Sequence, residues 1–277
     1  MNKEAYLENI KTYKFLANKS LGQNFLINPQ ICQQISDKLE ISSDDKVLEI
    51  GAGLGSLSVF LADANSDLTL IDIDERMLSH LTKTFEHNKN VTIKRQNILK
   101  MDLDGYTKII GNLPYYITSG IIEHLLVNAV DAKKIVLMTQ KEVYPKLLKS
   151  FISPLSLLLN YVADVSSPFA VGRNNFTPVP HVDSVVFILT PNENIKSKDN
   201  KELLKLMQKL FLHRRKTVLN CLQSMSIEKE KAEEILTKLG VNSQLRPEQL
   251  SIDFYISLLK ELKSWDFTYK IFARYVR

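Results

Sequence analysis

From residue 46 to residue 190, short apolar runs alternate with longer amphipathic stretches. Lys46-Val47-Leu48-Glu49-Ile50, Leu68-Thr69-Leu70-Ile71-Asp72, 91–95, 108–111 and 134–139 read as short strands. Further strands are predicted at 157–165 and at 184–190, where Val185, Val186, Ile188 and Thr190 supply β-branched side chains. Apolar residues recur at helical spacing over 56–63 and 75–87. Strands alternating with helices imply an α/β fold, a mostly parallel sheet with helices on both faces. That rhythm stops at Pro191-Asn192-Glu193-Asn194, and the polar run 196–200 predicts a linker. Beyond it, 201–212, 214–224, 228–239 and 251–263 read as helices, with Gly240 as a stop and Ser251 as an N-cap. The expected division is an α/β domain over 1–193 and a smaller all-helical domain over 194–277. The aromatic, basic end from Trp265 to Arg277 is not assigned.

Composition narrows the class. An apolar share of 44% and a charged share of 24% over 277 residues suit a soluble globular chain. No apolar run approaches the ~18 residues that a membrane span needs, so no membrane partner is expected. Lys3, Glu4, Glu8, Lys11 and Lys14 interrupt the start of the chain, which excludes a signal-peptide core. Cys32 and Cys221 stand alone without metal-ligand spacing, so no metal is expected and a reduced, cytoplasmic setting is. Charge is unevenly shared: residues 196–277 hold 17 Lys and Arg against 10 Asp and Glu, which leaves the rest of the chain slightly acidic. A polyanionic partner and a well-solvated helical face both account for that excess.

Two segments carry the candidate chemistry. Gly51-Ala52-Gly53-Leu54-Gly55 follows the first strand of the α/β region, where glycines let the backbone turn sharply and lie close to a ligand. Asp72 ends the next strand and can accept both hydroxyls of a ribose; Asp74 is an alternative that reads equally as a helix-start acid. This arrangement serves dinucleotides and S-adenosylmethionine alike. Ser56 stands where the dinucleotide fingerprint has its third glycine, which tilts away from a dehydrogenase. Asn97, after the third strand, can meet the amine of a cofactor adenine or simply form a turn. The second segment, Asn112-Leu113-Pro114-Tyr115, is more specific. Proline biases Leu113 toward an extended backbone and so aims its carbonyl. The Asn112 side-chain oxygen and the Leu113 carbonyl could accept both hydrogens of an exocyclic amine while Tyr115 offers a stacking face; the alternative is a strand-ending turn with Tyr115 in the core. Together the segments suggest methyl transfer onto an adenine.

With their surroundings these residues resemble the ribosomal RNA adenine N6-dimethyltransferases, in the branch acting on small-subunit (16S) rRNA. The resemblance spans nearly the whole chain. It includes Lys19-Ser20-Leu21-Gly22-Gln23-Asn24-Phe25-Leu26, Gln140-Lys141-Glu142-Val143 and Phe176-Thr177-Pro178-Val179-Pro180-His181-Val182-Asp183-Ser184. His213-Arg214-Arg215-Lys216-Thr217 and Arg246-Pro247-Glu248-Gln249-Leu250 continue it into the helical part. The resemblance implies a Rossmann-like class I methyltransferase domain followed by a helical RNA-binding domain. It implies an S-adenosylmethionine site built from Asn24, Leu26, Gly51, Gly53, Asp72, Asn97 and Asn112. It also implies a catalytic set of Asn112, Leu113, Pro114, Tyr115 and Phe176, in which Tyr115 and Phe176 sandwich the target base. From sequence alone, Phe176 reads as a core or loop-anchoring aromatic. Arg214, Arg215 and Lys216 become RNA-phosphate contacts, with Lys201, Lys205 and Lys209 on the same side. The implied substrate is a pair of adjacent adenosines in a hairpin loop near the 3′ end of 16S rRNA, modified late in small-subunit assembly, and a monomer suffices.

Three positions depart from the family pattern. Asn97 stands where Asp is usual, His181 where Lys is usual, and 146–156 is shorter than the usual Gly-bearing loop. A sister branch that dimethylates large-subunit rRNA and confers macrolide resistance is the nearest rival. It usually carries Ile at the position of Leu113 and lacks the Arg-Arg-Lys run. A non-catalytic RNA-binding assembly or transcription factor on the same fold is a further alternative, and the intact Asn112–Tyr115 set argues against it.

Overall fold

The computed structural model describes residues 2–12 and 22–264, apart from the side chains at 167 and 168. Lys19, Ser20 and Leu21 of the first motif, and Trp265–Arg277, lie outside the described residues. The chain divides into two compact units, one of residues 1–147 and 162–196 and the other of residues 148–161 and 197–277. The chain therefore passes between the units three times, at 147/148, 161/162 and 196/197, where a single break was expected at 193–194.

The first unit begins with helix α1 (Lys3–Ile10), the short strand β1 (Phe25–Leu26) and helix α2 (Pro29–Asp37). Asn28 caps α2 by accepting from the Gln30 and Ile31 amides, and Pro29 occupies the first turn, where no N–H is needed. Strand and helix then alternate through β2 (Lys46–Ile50), α3 (Ser58–Leu61), β3 (Asp67–Asp72), α4 (Glu75–Thr84), β4 (Val91–Arg95), β5 (Lys108–Asn112), α5 (Thr118–Asn128) and β6 (Lys134–Gln140). Helix α6 (Pro154–Val162) leads into β7 (Ala163–Val171), β8 (Phe176–Thr177) and β9 (Ser184–Pro191).

Seven strands form one sheet in the order β4-β3-β2-β5-β6-β9-β7. The first five are parallel, and β9 and β7 add an antiparallel edge. Strand order reverses on either side of β2, which places a ligand crevice at the carboxyl ends of β2 and β5. Leu48, Leu70, Ile110 and Val136 are wholly buried, each worth about 1.5–3 kcal/mol relative to exposure.

The strand expected at 157–165 is corrected. Residues up to Val162 are helical, and the strand starts at Ala163. Leu155, Leu157, Leu158 and Leu159 make an apolar run whose type periodicity cannot decide, and leucine favours helix over strand.

In the helical unit α7 (Asn200–Phe211), α8 (Val218–Ser224), α9 (Lys229–Lys238) and α10 (Ile252–Ser264) follow the expected spacing. Gly240 stops α9, and the Ser251 hydroxyl accepts from the Phe254 amide at 3.4 Å. Helix α8 starts four residues later than expected, because Thr217 caps it by accepting from the Asn220 amide. Arg214, Arg215 and Lys216 therefore occupy the turn before the helix. Leu206, Met207, Leu210, Leu222 and Leu258 make this unit's core, and the Tyr255 hydroxyl donates to the Pro247 carbonyl at 2.6 Å. No helix among the described residues is long and apolar enough to cross a membrane.

Candidate active site

The glycine turn is pinned to the neighbouring strand. Gly51 and Ala52 both donate their amides to the Ile71 carbonyl, at 2.9 and 3.1 Å. Gly51 and Gly53 lie at φ +66° and +55°, in the left-handed region. A Cβ on Gly53 would also stand 3.2 Å from the Phe25 ring, so the turn needs glycine on both counts. The Gly53 amide donates to one oxygen of Asp72 and the Asp74 amide to the other, each at 2.9 Å. Burial pushes the Asp72 carboxyl above its usual range, while these amides pull against it. Two backbone donors leave a carboxylate with lone pairs for two hydroxyls. Asp74 is instead spent on the Arg76 guanidinium and the Gln23 amide, which settles it as a helix-capping acid.

A cavity opens above this turn. Asn24, Leu26, Gly51, Gly53, Asp72 and Asn97 all line it, and so do Asn112, Leu113, Pro114 and Tyr115. Residues whose roles the sequence did not expose line it too. Glu49 is buried in the floor, where Ser58 donates to it at 2.6 Å; burial and the neighbouring Asp72 charge push its carboxyl up to about 8. Its signal was present, a lone acid inside the apolar strand Lys46–Ile50. The Ser56 hydroxyl is buried beside the cavity with no hydrogen-bond partner among the described residues. A buried, unpaired hydroxyl costs about 1–3 kcal/mol, which a polar ligand group at this place would offset. Asn97 is exposed and its side-chain oxygen accepts from the Leu99 amide at 3.0 Å, the turn-forming role, while it still borders the cavity.

The opposite wall is the end of β5. Asn112 donates its side-chain amide to the Asn24 carbonyl at 3.1 Å, and Asn24 donates its own to the Gly22 carbonyl at 3.0 Å. The first bond fixes the Asn112 amide plane and leaves its oxygen without a donor among the described residues. The Leu113 amide donates to the Met138 carbonyl at 2.9 Å, whereas the Leu113 carbonyl receives no hydrogen bond among the described residues. The Pro114 carbonyl accepts from Ile117 and from the Thr118 hydroxyl, which holds the turn rigid. Tyr115 is half-buried, with its hydroxyl 3.4 Å from that of Ser184. Two acceptors without a donor among the described residues and an aromatic residue thus come from consecutive positions that all line the cavity.

Phe176 is not brought there. Its ring is 1% exposed within the core, its backbone pairs with Leu26 across β1 and β8, and it does not line the cavity. The stacking of Phe176 on a target base implied by the resemblance thus has no counterpart among the residues that line this cavity. Arg214, Arg215 and Lys216 are exposed and form no ion pair among the described residues. His181 is exposed, and its carbonyl accepts from Arg173.

A glycine turn at the switch point of the sheet, an acid one strand along and the Asn112–Tyr115 segment on the other side place the chain among the class I methyltransferases. It belongs to the ribosomal RNA adenine dimethylase family, whose sequence profile matches residues 14–264. It is 34% identical to a ribosomal RNA small subunit methyltransferase A of Pediococcus pentosaceus, covering 90% of this chain and 91% of the relative. Identity to the protein of that name from Streptococcus gordonii is 36%, over 92% of this chain and 95% of the relative. Among solved structures, a dimethyladenosine transferase from Plasmodium falciparum superposes with a TM-score of 0.72 at 29% identity, covering 86% of this chain and 96% of the other. The 23S rRNA methyltransferase ErmE shares the fold, with a TM-score of 0.61 at 22% identity over 86% of this chain and 99% of the other.

Proposed function

We propose that this chain uses S-adenosylmethionine to dimethylate N6 of two adjacent adenosines in a hairpin loop near the 3′ end of 16S rRNA, late in small-subunit assembly. One observation carries the reading: Asn112 and Leu113 both line the cavity, and among the described residues neither the Asn112 side-chain oxygen nor the Leu113 carbonyl receives a hydrogen bond. The residues present fit the cofactor. Asp72 keeps acceptor capacity for a ribose, and Glu49 with the unpaired Ser56 hydroxyl suits an amino-acid tail. When bound, the cofactor supplies an electrophilic methyl on a sulfonium. The adenine N6 lone pair is delocalised into the ring and is a poor nucleophile. By accepting both N6 hydrogens, Asn112 and Leu113 favour a pyramidal nitrogen with its lone pair turned to the methyl. Tyr115 holds the base by stacking, worth about 1–3 kcal/mol. Neither acceptor is a base, so the surplus proton leaves to water and catalysis rests on positioning and fixed dipoles.

Residues 194–277 serve as the RNA-binding part, in which Arg214, Arg215 and Lys216 offer phosphate contacts that offset the few kcal/mol needed to splay the target bases. The setting is cytoplasmic and the working form a monomer. The small-subunit substrate is favoured over a large-subunit one by the relatives at 34% and 36% identity, both named for the small subunit. The test is incubation with undermethylated small subunits and labelled cofactor, then mapping of the label. Label on the two adjacent adenosines is expected; label elsewhere on 16S rRNA, or none, overturns the proposal.

A further inference from the structure

Three large apolar side chains that remain exposed, Ile73, Leu99 and Tyr116, line the same cavity. Exposed apolar groups gathered at a concave site mark a binding surface. Tyr116 stands out among them at 57% exposed. Its ring stacks on no other ring, and its hydroxyl makes no hydrogen bond, among the described residues. Tyr115, by contrast, is half-buried and meets Ser184.

Both tyrosines lie in the 3-10 turn Tyr115–Ile117. Successive residues of such a turn point about 120° apart, so the two rings form separate platforms rather than two walls of one slot. The turn does not drift. The Pro114 carbonyl holds the Ile117 amide and the Thr118 hydroxyl, and Thr118 in turn meets Thr139 at 3.2 Å. On its inner side the Tyr116 ring lies close to Gly22, where a Cβ would come within 3.8 Å of the ring and 3.9 Å of the Tyr115 amide. More than half of the residue stays exposed, and Tyr116 lines the cavity together with Asn112 and Leu113.

We infer that Tyr116 is a second base-stacking subsite, which takes the purine next to the adenine held at Asn112 and Leu113. The inference rests on the proposed RNA-adenine substrate and extends it by one nucleotide. A single-stranded loop splayed into the cavity loses the stacking of both bases, and a free aromatic face restores it for the flanking one. Aromatic stacking does not read base edges, so the subsite holds whichever adenosine is not being modified and lets the pair exchange places between turnovers.

The test uses the full chain with undermethylated small subunits. Tyr116→Ala raises KM for the subunit about tenfold, the size of one base stack removed, with kcat changed less than KM. Affinity for S-adenosylmethionine, read by calorimetry without RNA, stays at the wild-type value. Tyr116→Phe restores KM, since the ring acts and the hydroxyl does not, whereas Tyr116→Leu, which still covers Gly22, behaves like Ala. Wild-type KM in Tyr116→Ala, full rescue by Leu, or an equal loss of cofactor affinity would each overturn the subsite while the wild-type enzyme still labels its adenosines. Failure of the wild-type enzyme to label them would remove the parent reading and the subsite together.

Discussion

In the proposed reaction Asn112 is the residue on which methyl transfer turns, and a single bond to the Asn24 carbonyl decides which way its amide faces. Asn112→Ala removes one of two acceptors and leaves that carbonyl without its donor. Methyl transfer is expected to fall at least about 100-fold, the usual cost of losing one preorganised group at a reacting centre. Circular dichroism should show the fold intact, and single-turnover labelling measures the loss. Glu49 gives a second prediction at this scale. Burial lifts its carboxyl from 4.5 to about 8, so between those pH values the folded chain keeps a proton that the unfolded chain has released. Stability therefore falls as pH rises through that window. Glu49→Gln keeps the partner for Ser58 and removes the titration. Its melting temperature should drop less than the wild type's between pH 5 and pH 8, and equal drops in scanning calorimetry would contradict the assignment.

The glycine turn is the element that places the cofactor floor, and its geometry is decided by its neighbours. Gly53 needs a left-handed backbone and also gives way to the Phe25 ring of β1. Gly53→Ala should destabilise the fold by about 1–3 kcal/mol through backbone strain alone and weaken cofactor binding further by moving the amide that holds Asp72. Thermal denaturation and a cofactor titration read the two effects separately. At the other end of the chain, the Thr217 cap sets where α8 begins and keeps the basic triplet in a turn. Thr217→Ala should cost about 1 kcal/mol of stability, measured by urea denaturation.

For the whole molecule, basic charge gathers in the C-terminal third and the chemistry in the α/β part, so the two functions should separate on mutation. Replacing Arg214, Arg215 and Lys216 by Glu should weaken binding to undermethylated subunits and lower its salt slope by about 1 for each phosphate no longer neutralised. Cofactor affinity should not change; a parallel loss in calorimetry would refute that separation. Most of the α/β architecture was legible because strand and helix periods differ, and the site segments could be located because glycine, proline and amide side chains have few local uses. Legibility ended where neighbours outvote local pattern. The leucine-rich run before Ala163 is helical, Phe176 is buried by its pairing with Leu26, and the roles of Glu49 and Ser56 follow from what surrounds them. The order of residues alone determined which groups could grip an amine and which strand each one ends. Only the tertiary structure decided which oxygens remain unpaired and which rings stay open, because both depend on hydrogen bonds and contacts between segments far apart in the chain.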